Sequence, residues 1–527
     1  MAPEAVTALL ERVDLNMSSE DAMALRGVVA MVRCLSEEIK ANGASIGRLR
    51  AVAFGAPTEL TRNLCPPKEG EEKEARKPRR RQQPKNDGED PKPGHGPKGS
   101  KAFPMAERIK VPHTVHQPGD SCPRCHEGHL YARKEPSVML RIVALSPISA
   151  KVLEREVLRC TECGDSFKAP LPAEVESEAK YDESVPAMCG IMRFGTGMPY
   201  TRFSHFLQNL NVPLPTSTMC DLVMASAELL DPILLELIRW AAQGEVIHQD
   251  DTVMKILDRS DLIVPGKKDR KGIYTTGLIS RVGEYRVALF LTGLQHAGEN
   301  LSDLLKQRRS DLTKPIQMCD AIAANTAGDM LTILAHCLVH ARRKFVEVLD
   351  DFPVECRFLL ESLKVVYKNE AATERMSPMA RLVYHQQKSG PVMKTLGEWL
   401  NKQIDEKLVE PNSGLGQAVR YTIKHWEALT LFLREPGAPL DNNAAERGLK
   451  RAIMHRKNSM FYKTGDGAHV GDLYMSLIHT AELNGANPFD YLVSLMRNHA
   501  FVEENPDEWM PWTYKATMAG LAALEQA

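Results

Sequence analysis

The sequence predicts an α/β protein, on three observations. Strand-like runs rich in β-branched residues are confined to a window between about residues 245 and 320. Helix-periodic runs flank that window on both sides. The order is strand, hairpin pair, helix, strand, then helices, which is the order of a mixed sheet covered by helices. A length of 527 residues calls for several domains rather than one core. Composition is that of an ordinary globular chain, 43% hydrophobic and 26% charged. A formal net charge of −1 means that any polyanion-binding surface must be local. No apolar run approaches the length of a membrane span, and the start "MAPEAVTALLERVDL" carries no basic leader, so a cytoplasmic location and no membrane partner are expected.

Residues 1–65 read as a helical, zipper-like segment. Leu25, Val28, Val32, Leu35, Ile39, Asn42, Ile46 and Leu49 follow a heptad seam with one polar residue on it. The seam fits self-association or packing within its own domain, and Gly27, Gly43 and Gly47 weaken a long helix. Residues 66–104, dominated by Pro, Gly and charge, cannot build a core and read as a linker. Its basic knot, Arg76, Lys77, Arg79, Arg80 and Arg81, is either solvated or a non-specific phosphate contact.

Residues 105–180 carry two Cys-x-x-Cys pairs, Cys122/Cys125 and Cys160/Cys163, with 34 residues between them. Four thiolates satisfy one tetrahedral structural zinc ion, and the β-branched run between the pairs suits the strands of a zinc ribbon. Within 181–242, "YTRFSHFLQNL", "NVPLP" and "TSTMCDLVMASAELL" read as helix, turn and helix, a helix-turn-helix-like segment with DNA contact or plain packing as its two uses.

The first part of the core spans 243–325. "EVIHQDDTVMKIL", "GIYTTGLISRV" and "YRVALFLTGL" read as strands, with a tight turn at Gly283-Glu284; "ENLSDLLKQR" reads as a helix and "PIQMCDAI" as a strand ending at Asp320. Residues 326–438 are expected to be nearly all helical, 439–485 to return to the core, and 486–527 to form a tail in which "PFDYLVSLM" reads as helix.

Three acids stand out. Asp250 or Asp251 lies on the first strand; alternation sends the two to opposite faces, so only one can join a shared site. Asp320 ends a later strand, and Glu446 sits one turn into the helix of "DNNAAERGLKRAIMHRKNSMF", which Asp441 can cap. Asn442, Asn443 and Glu446 share one helix face, while Ala445, Leu449 and Ala452 form the apolar stripe that docks on the sheet. Three carboxylates in one place repel unless cations sit among them; hard oxygen ligands select Mg²⁺ or Mn²⁺, and two such ions suit phosphodiester chemistry. The cations after Glu446, namely Arg447, Lys450, Arg451, Arg456 and Lys457, suit a polyanionic substrate, with Lys450 beside the expected metal site.

Over nearly its whole length the chain resembles the bacterial transposase family of insertion sequence 66. The resemblance rests on "LRAVAFGAPTEL", "PGHG", the Cys pairs, "QDDT", "CLVHARRKF", "DNNAAERGLKRAIMHRKNSMF" and "LIHTAELNGANPFDYL". It implies a ribonuclease-H-like catalytic core with a large helical insertion, and a DDE triad of Asp250, Asp320 and Glu446, choosing Asp250 over Asp251. It implies a supporting Cys-x-x-His element at Cys337 and His340, for which ordinary packing is the alternative. Arg342, Arg343 and Lys344, with Arg447, Arg451, Arg456 and Lys457, are candidates for DNA contact. The chain departs from the family's usual Asp-Glu-Thr at Asp251, and from a usual Pro and Trp at Arg451 and Ser459. The implied activity is metal-dependent cleavage at element ends and strand transfer into target DNA. The implied partners are terminal inverted repeats, target DNA, further copies of the chain and companion proteins of the same element. A nuclease without strand transfer, or a non-catalytic DNA-binding derivative, are the alternatives.

Overall fold

The structure, a computed structural model, describes residues 117–121, 123, 127, 129, 146–159, 166–172, 179–260, 262, 270–327 and 331–525. The zipper-like segment, the linker and the four cysteines Cys122, Cys125, Cys160 and Cys163 lie outside these residues. In the stretch expected as a ribbon, strands Val157–Arg159 (β1) and Ser166–Lys168 (β2) pair antiparallel, Leu158 opposite Phe167. No helix among the described residues is long and apolar enough to cross a membrane.

The described residues divide into two compact units, one running to Ile333 and resuming at Asn443, the other spanning Leu334–Asn442. The larger unit opens with helix Ser184–Gly190 (α1), followed by Tyr200–Asn209 (α2) and Thr216–Ala242 (α3). The helix, turn and helix expected here are present. However, α3 runs 27 residues and buries Met219, Val223, Leu230, Ile233, Leu234 and Leu237. Its outward positions include Asp221, Glu228, Leu235 and Arg239. The second helix of the pair thus gives a long apolar face to the core.

Next come strands Val246–Val253 (β3), Tyr274–Val282 (β4) and Tyr285–Gly293 (β5), helix Ala297–Leu305 (α4) and strand Ile316–Cys319 (β6). The β4–β5 turn is the two-residue Gly283-Glu284, with Gly283 at φ +60° in the first central position, where a side chain is disfavoured. A fifth strand, Ile333–His336 (β7), lies in a stretch expected to be helical, and Ile333 N–H donates to Pro315 O at 2.9 Å. Its four residues "ILAH" are too few to show a period against the long helices that follow. The sheet order is β5-β4-β3-β6-β7, with β3 antiparallel to β4 and parallel to β6. β4 is buried at every position from Thr275 to Ser280. Alternation puts those residues on both faces, so both faces are covered by helices.

In the smaller unit, helices Leu338–Glu347 (α5), Pro353–Ala372 (α6), Pro378–Lys388 (α7), Gly390–Asp405 (α8) and Gly414–Lys424 (α9) bury Phe345, Leu359, Leu363, Leu396, Leu400 and Val419. A polar knot fixes α6 to α7: Glu370 accepts from the Arg381 guanidinium at 3.0 Å and from His385 Nε2 at 2.8 Å. Arg381 also donates to Ala438 O.

The chain re-enters the larger unit as Asn443–Ser459 (α10), then Gly465–Leu483 (α11), Pro488–Arg497 (α12), His499–Glu504 (α13) and Tyr514–Glu525 (α14). Residues 486–527 were expected as a tail. Through Glu525 they are mostly helical, with Tyr491, Leu492, Trp509 and Met510 buried and Tyr491 Oη donating to Trp509 O.

Edge strand β5 is closed by α11. Asp472 accepts from Thr292 N–H, Ser476 Oγ from Phe290 N–H, Thr480 Oγ1 from Ala288 N–H and Asn484 Oδ1 from Arg286 N–H, at 2.5, 2.9, 3.0 and 3.1 Å. Four helical residues rise about 6.0 Å and two strand residues about 6.8 Å. Every fourth side chain therefore meets every second amide. The bonds that would leave an open edge ready for another strand are satisfied within the chain.

Candidate active site

The parallel register of β3 and β6 sets the first relationship. Val246 pairs with Ile316 and His248 with Met318. The same offset carried two residues further aligns Asp250 with Asp320. Both acids thus stand at the carboxyl ends of neighbouring parallel strands, where open α/β sheets hold their ligands.

Helix α10 supplies the third acid. Ala445, Leu449 and Ala452 are buried, as the apolar stripe predicts. Leu449 lands on Gly277 of β4, the residue paired with Asp250. A Cβ at Gly277 would lie 2.7 Å from Leu449 Cγ. The absence of a side chain there lets the helix approach the sheet, and Glu446 sits one turn ahead of Leu449. The far end of the helix is tied down as well. Arg456 donates to Thr252 Oγ1 at 2.9 Å and to Val253 O, while Tyr462 N–H donates to Lys255 O and Leu257 N–H to Tyr462 O. His455, buried, stacks on Tyr462 and Phe194, and burial pushes its ring down to about 3, so it packs as a neutral ring.

The convergence appears in the electrostatics of Asp250. Burial first, then the charges of Asp320, Glu446 and Asp251, push its carboxyl up to about 7, against one opposing hydrogen bond from Asp251 N–H at 2.8 Å. Asp251 has a different environment. Its carboxylate accepts from Thr276 Oγ1 at 2.7 Å, from Ala297 N–H at 2.9 Å and lies 3.1 Å from His296 Nδ1. It thereby anchors the N-terminus of α4, where negative charge is favoured.

Asp320 is held by residues that sequence reasoning did not single out. Asn325 Nδ2 donates to its carboxylate at 2.7 Å and Ile322 N–H at 3.3 Å. Asn325 O in turn accepts from Gln249 Nε2 and from Gln317 Nε2, the latter at 2.7 Å, and Thr332 Oγ1 donates to Gln317 Oε1. Gln249 and Gln317 are fully buried. The signal was a glutamine inside each of two apolar strands, "IHQDD" and "IQMCD", since a buried amide demands partners.

The predicted cations divide. Lys450, Lys457 and Arg447 are exposed, and Arg447 Nε also donates to Asn443 O. Arg451 is committed to Glu482 and Gly195 O, and Arg456 to β3 as above. These two fix the helix in place. In the smaller unit Arg342 is buried, Arg343 is half-buried and the Lys344 ammonium lies 4.6 Å over the Tyr421 ring. Cys337 is buried there, accepts from Asn442 N–H at 3.2 Å, and burial pushes its thiol up to about 11, which keeps it protonated at neutral pH. His340 and Asn443 are half-buried, and Asn442 is fully buried.

Known proteins match this chain in the same region. The profile described as Transposase IS66 family matches residues 179–470. Two proteins of Sinorhizobium fredii (strain NBRC 101917 / NGR234) are similar along most of their length. Uncharacterized protein y4jD is 25% identical, covering 78% of this chain and 81% of its own. Uncharacterized protein y4hP is 27% identical, covering 80% and 78%. Uncharacterized protein y4qI of the same strain is 26% identical over 37% of each chain.

Proposed function

This chain belongs to the transposase IS66 family, and from that premise we propose that it is a DNA transposase whose acids Asp250, Asp320 and Glu446 cut element ends and join them to target DNA. The observation that carries the reading is the pressure of Asp320 and Glu446 on the buried Asp250 carboxyl. Two strands and a helix from distant parts of the chain bring like charges together, an arrangement that calls for cations. The sheet order supports a ribonuclease-H-like core, with three antiparallel strands followed by strands on the β3 side.

All three donors are carboxylates, which fits hard divalent cations, Mg²⁺ or Mn²⁺. When bound, a pair of such ions supplies Lewis-acid charge to the attacking and leaving oxygens of an in-line displacement. The chain's own residues do the rest. Asn325 orients Asp320, Asp251 fixes the strand beside Asp250, and Arg456 holds the Glu446 helix against β3. Lys450 and Lys457 meet the phosphate backbone. In the first step water attacks phosphorus at the element end, the P–O3′ bond breaks, and the departing oxygen takes a proton to leave a free 3′-OH. In the second that hydroxyl attacks a target phosphodiester, forming a new P–O3′ bond and releasing the target's own 3′-OH. The four paired cysteines are assigned one structural zinc ion on their spacing alone.

The test is a joining reaction. Full-length protein is incubated with Mn²⁺ or Mg²⁺, a pre-cleaved duplex carrying the element's end, and a target plasmid. Joined products that disappear in Asp320→Ala are expected. Cutting without joining would assign a nuclease instead, and DNA binding that neither cuts nor responds to Asp320→Ala would assign a non-catalytic protein.

A further inference from the structure

At the carboxyl end of β3, on the Asp251 face of the sheet, lies a cleft of about 520 Å³ to which nothing in the triad chemistry gives a use. One wall is an aromatic pair, Tyr274 and His296, with ring centroids 4.0 Å apart. Arg270, Lys271 and, from α4, Glu299 and Ser302 also line the cleft. Two glycines let its walls approach closely: a Cβ at Gly272 would lie 2.5 Å from Tyr274 Oη, and one at Gly298 would lie 2.5 Å from Thr326 O.

The walls of the cleft are the supports of the acids. His296 contacts Asp251, the neighbour of Asp250. Ala324 and Thr326 flank Asn325, which holds Asp320. The cleft therefore lies across β3 from Asp250, at the end of the sheet where Asp320 stands. Arg270 and Glu299 neutralise each other through a 2.6 Å ion pair, which leaves Lys271 as the uncompensated cation of this lining. Aromatic faces, a cation and amphoteric polar groups match the chemistry of one nucleotide, with a flat base and an anionic phosphate. The volume falls within the range that encloses a small ligand, and a duplex is too wide to enter.

We infer that this cleft is a subsite for a single unpaired nucleotide of the DNA strand, its base against Tyr274 and His296 and its phosphate toward Lys271. The inference rests on the transposase reading for DNA as the ligand, but its test reads binding rather than cleavage. Full-length protein is irradiated with a hairpin duplex carrying 5-iododeoxyuridine as a single unpaired 3′-terminal nucleotide. A blunt hairpin with the same base paired is the control, and free dTMP is the competitor. Adducts are located by mass spectrometry of tryptic peptides. The expected result is an adduct within residues 272–281 or 287–306, at least tenfold weaker for the blunt hairpin. Lys271→Glu, at an exposed position, and Ser302→Trp, which fills the cleft, should each lower it at least fivefold with an unchanged melting temperature.

Equal adducts from paired and unpaired bases, or adducts only outside these peptides, would overturn the subsite. Competition by dTMP at the oligonucleotide's own concentration would make this a site for free nucleotides and would equally overturn it. Metal-dependent cleavage is scored on the same preparations. Cleavage without the adduct removes the subsite and leaves the transposase reading standing, whereas the adduct without cleavage does the reverse.

Discussion

Asp251 uses its carboxylate on Thr276, His296 and Ala297, while Asp250 faces the charges of Asp320 and Glu446. The two neighbours should therefore fail differently. Asp250→Asn removes a repelled buried charge, so metal-free protein should resist urea as well as or better than the parent while cleavage falls on the order of 10³-fold. Asp251→Ala leaves buried donors without an acceptor and should cost about 1–3 kcal/mol in the same urea titration. Asp472, fully buried against Thr292, gives a pH signature away from the acids. Burial pushes its carboxyl up to about 7 from an ordinary value of 3.8. A raised carboxyl means that the folded state binds the proton more tightly than the unfolded one. Its contribution is fully present below about pH 3.8 and is lost as pH rises to about 7, on the order of 4 kcal/mol. Asp472→Asn keeps an acceptor for Thr292 and should flatten that part of the stability–pH curve.

Two helices dock on the sheet through side-chain features that can be named. Helix α10 reaches the sheet because Gly277 has no side chain where Leu449 lands. Gly277→Val should cost about 1–3 kcal/mol by overpacking. It should lower the cleavage rate more than that loss of folded protein explains, because the displaced helix carries Glu446; a stopped assay beside a thermal melt separates the two. Helix α11 seals β5 through Asp472, Ser476, Thr480 and Asn484. The polar residues inside an otherwise apolar helix are thus satisfied by strand amides rather than by water. Strands β3 to β6 and the hairpin turn were legible from alternation and from Gly283. The run "PFDYLVSLM" was legible as helix; strand β7 and the packing of the C-terminal helices were not, since a four-residue strand has no readable period and a segment rich in turns reads as a tail until its Trp and Tyr are seen buried.

At the scale of the molecule, the larger unit is interrupted in sequence by residues Leu334–Asn442, and its acids come from both sides of that interruption. Cations that bind only the assembled acids should stabilise the fold by mass action, by about 2.7 kcal/mol at a hundred times the dissociation constant. A rise in melting temperature with Mn²⁺, absent in Asp250→Asn, is the expected observation.

The sequence by itself determined the α/β order, the docking stripe of α10, the three candidate acids and the family, because these are local patterns of period, spacing and motif. The resemblance already chose Asp250 over Asp251, but what surrounds each of them was decided only by the tertiary structure. So were the roles of Gln249, Gln317 and Asn325 behind Asp320, and the commitment of Arg451 and Arg456 to the protein. The reason is that a side chain's role here depends on partners brought to it by strand register and helix docking across scores of residues, and no local pattern in the chain specifies such a partner.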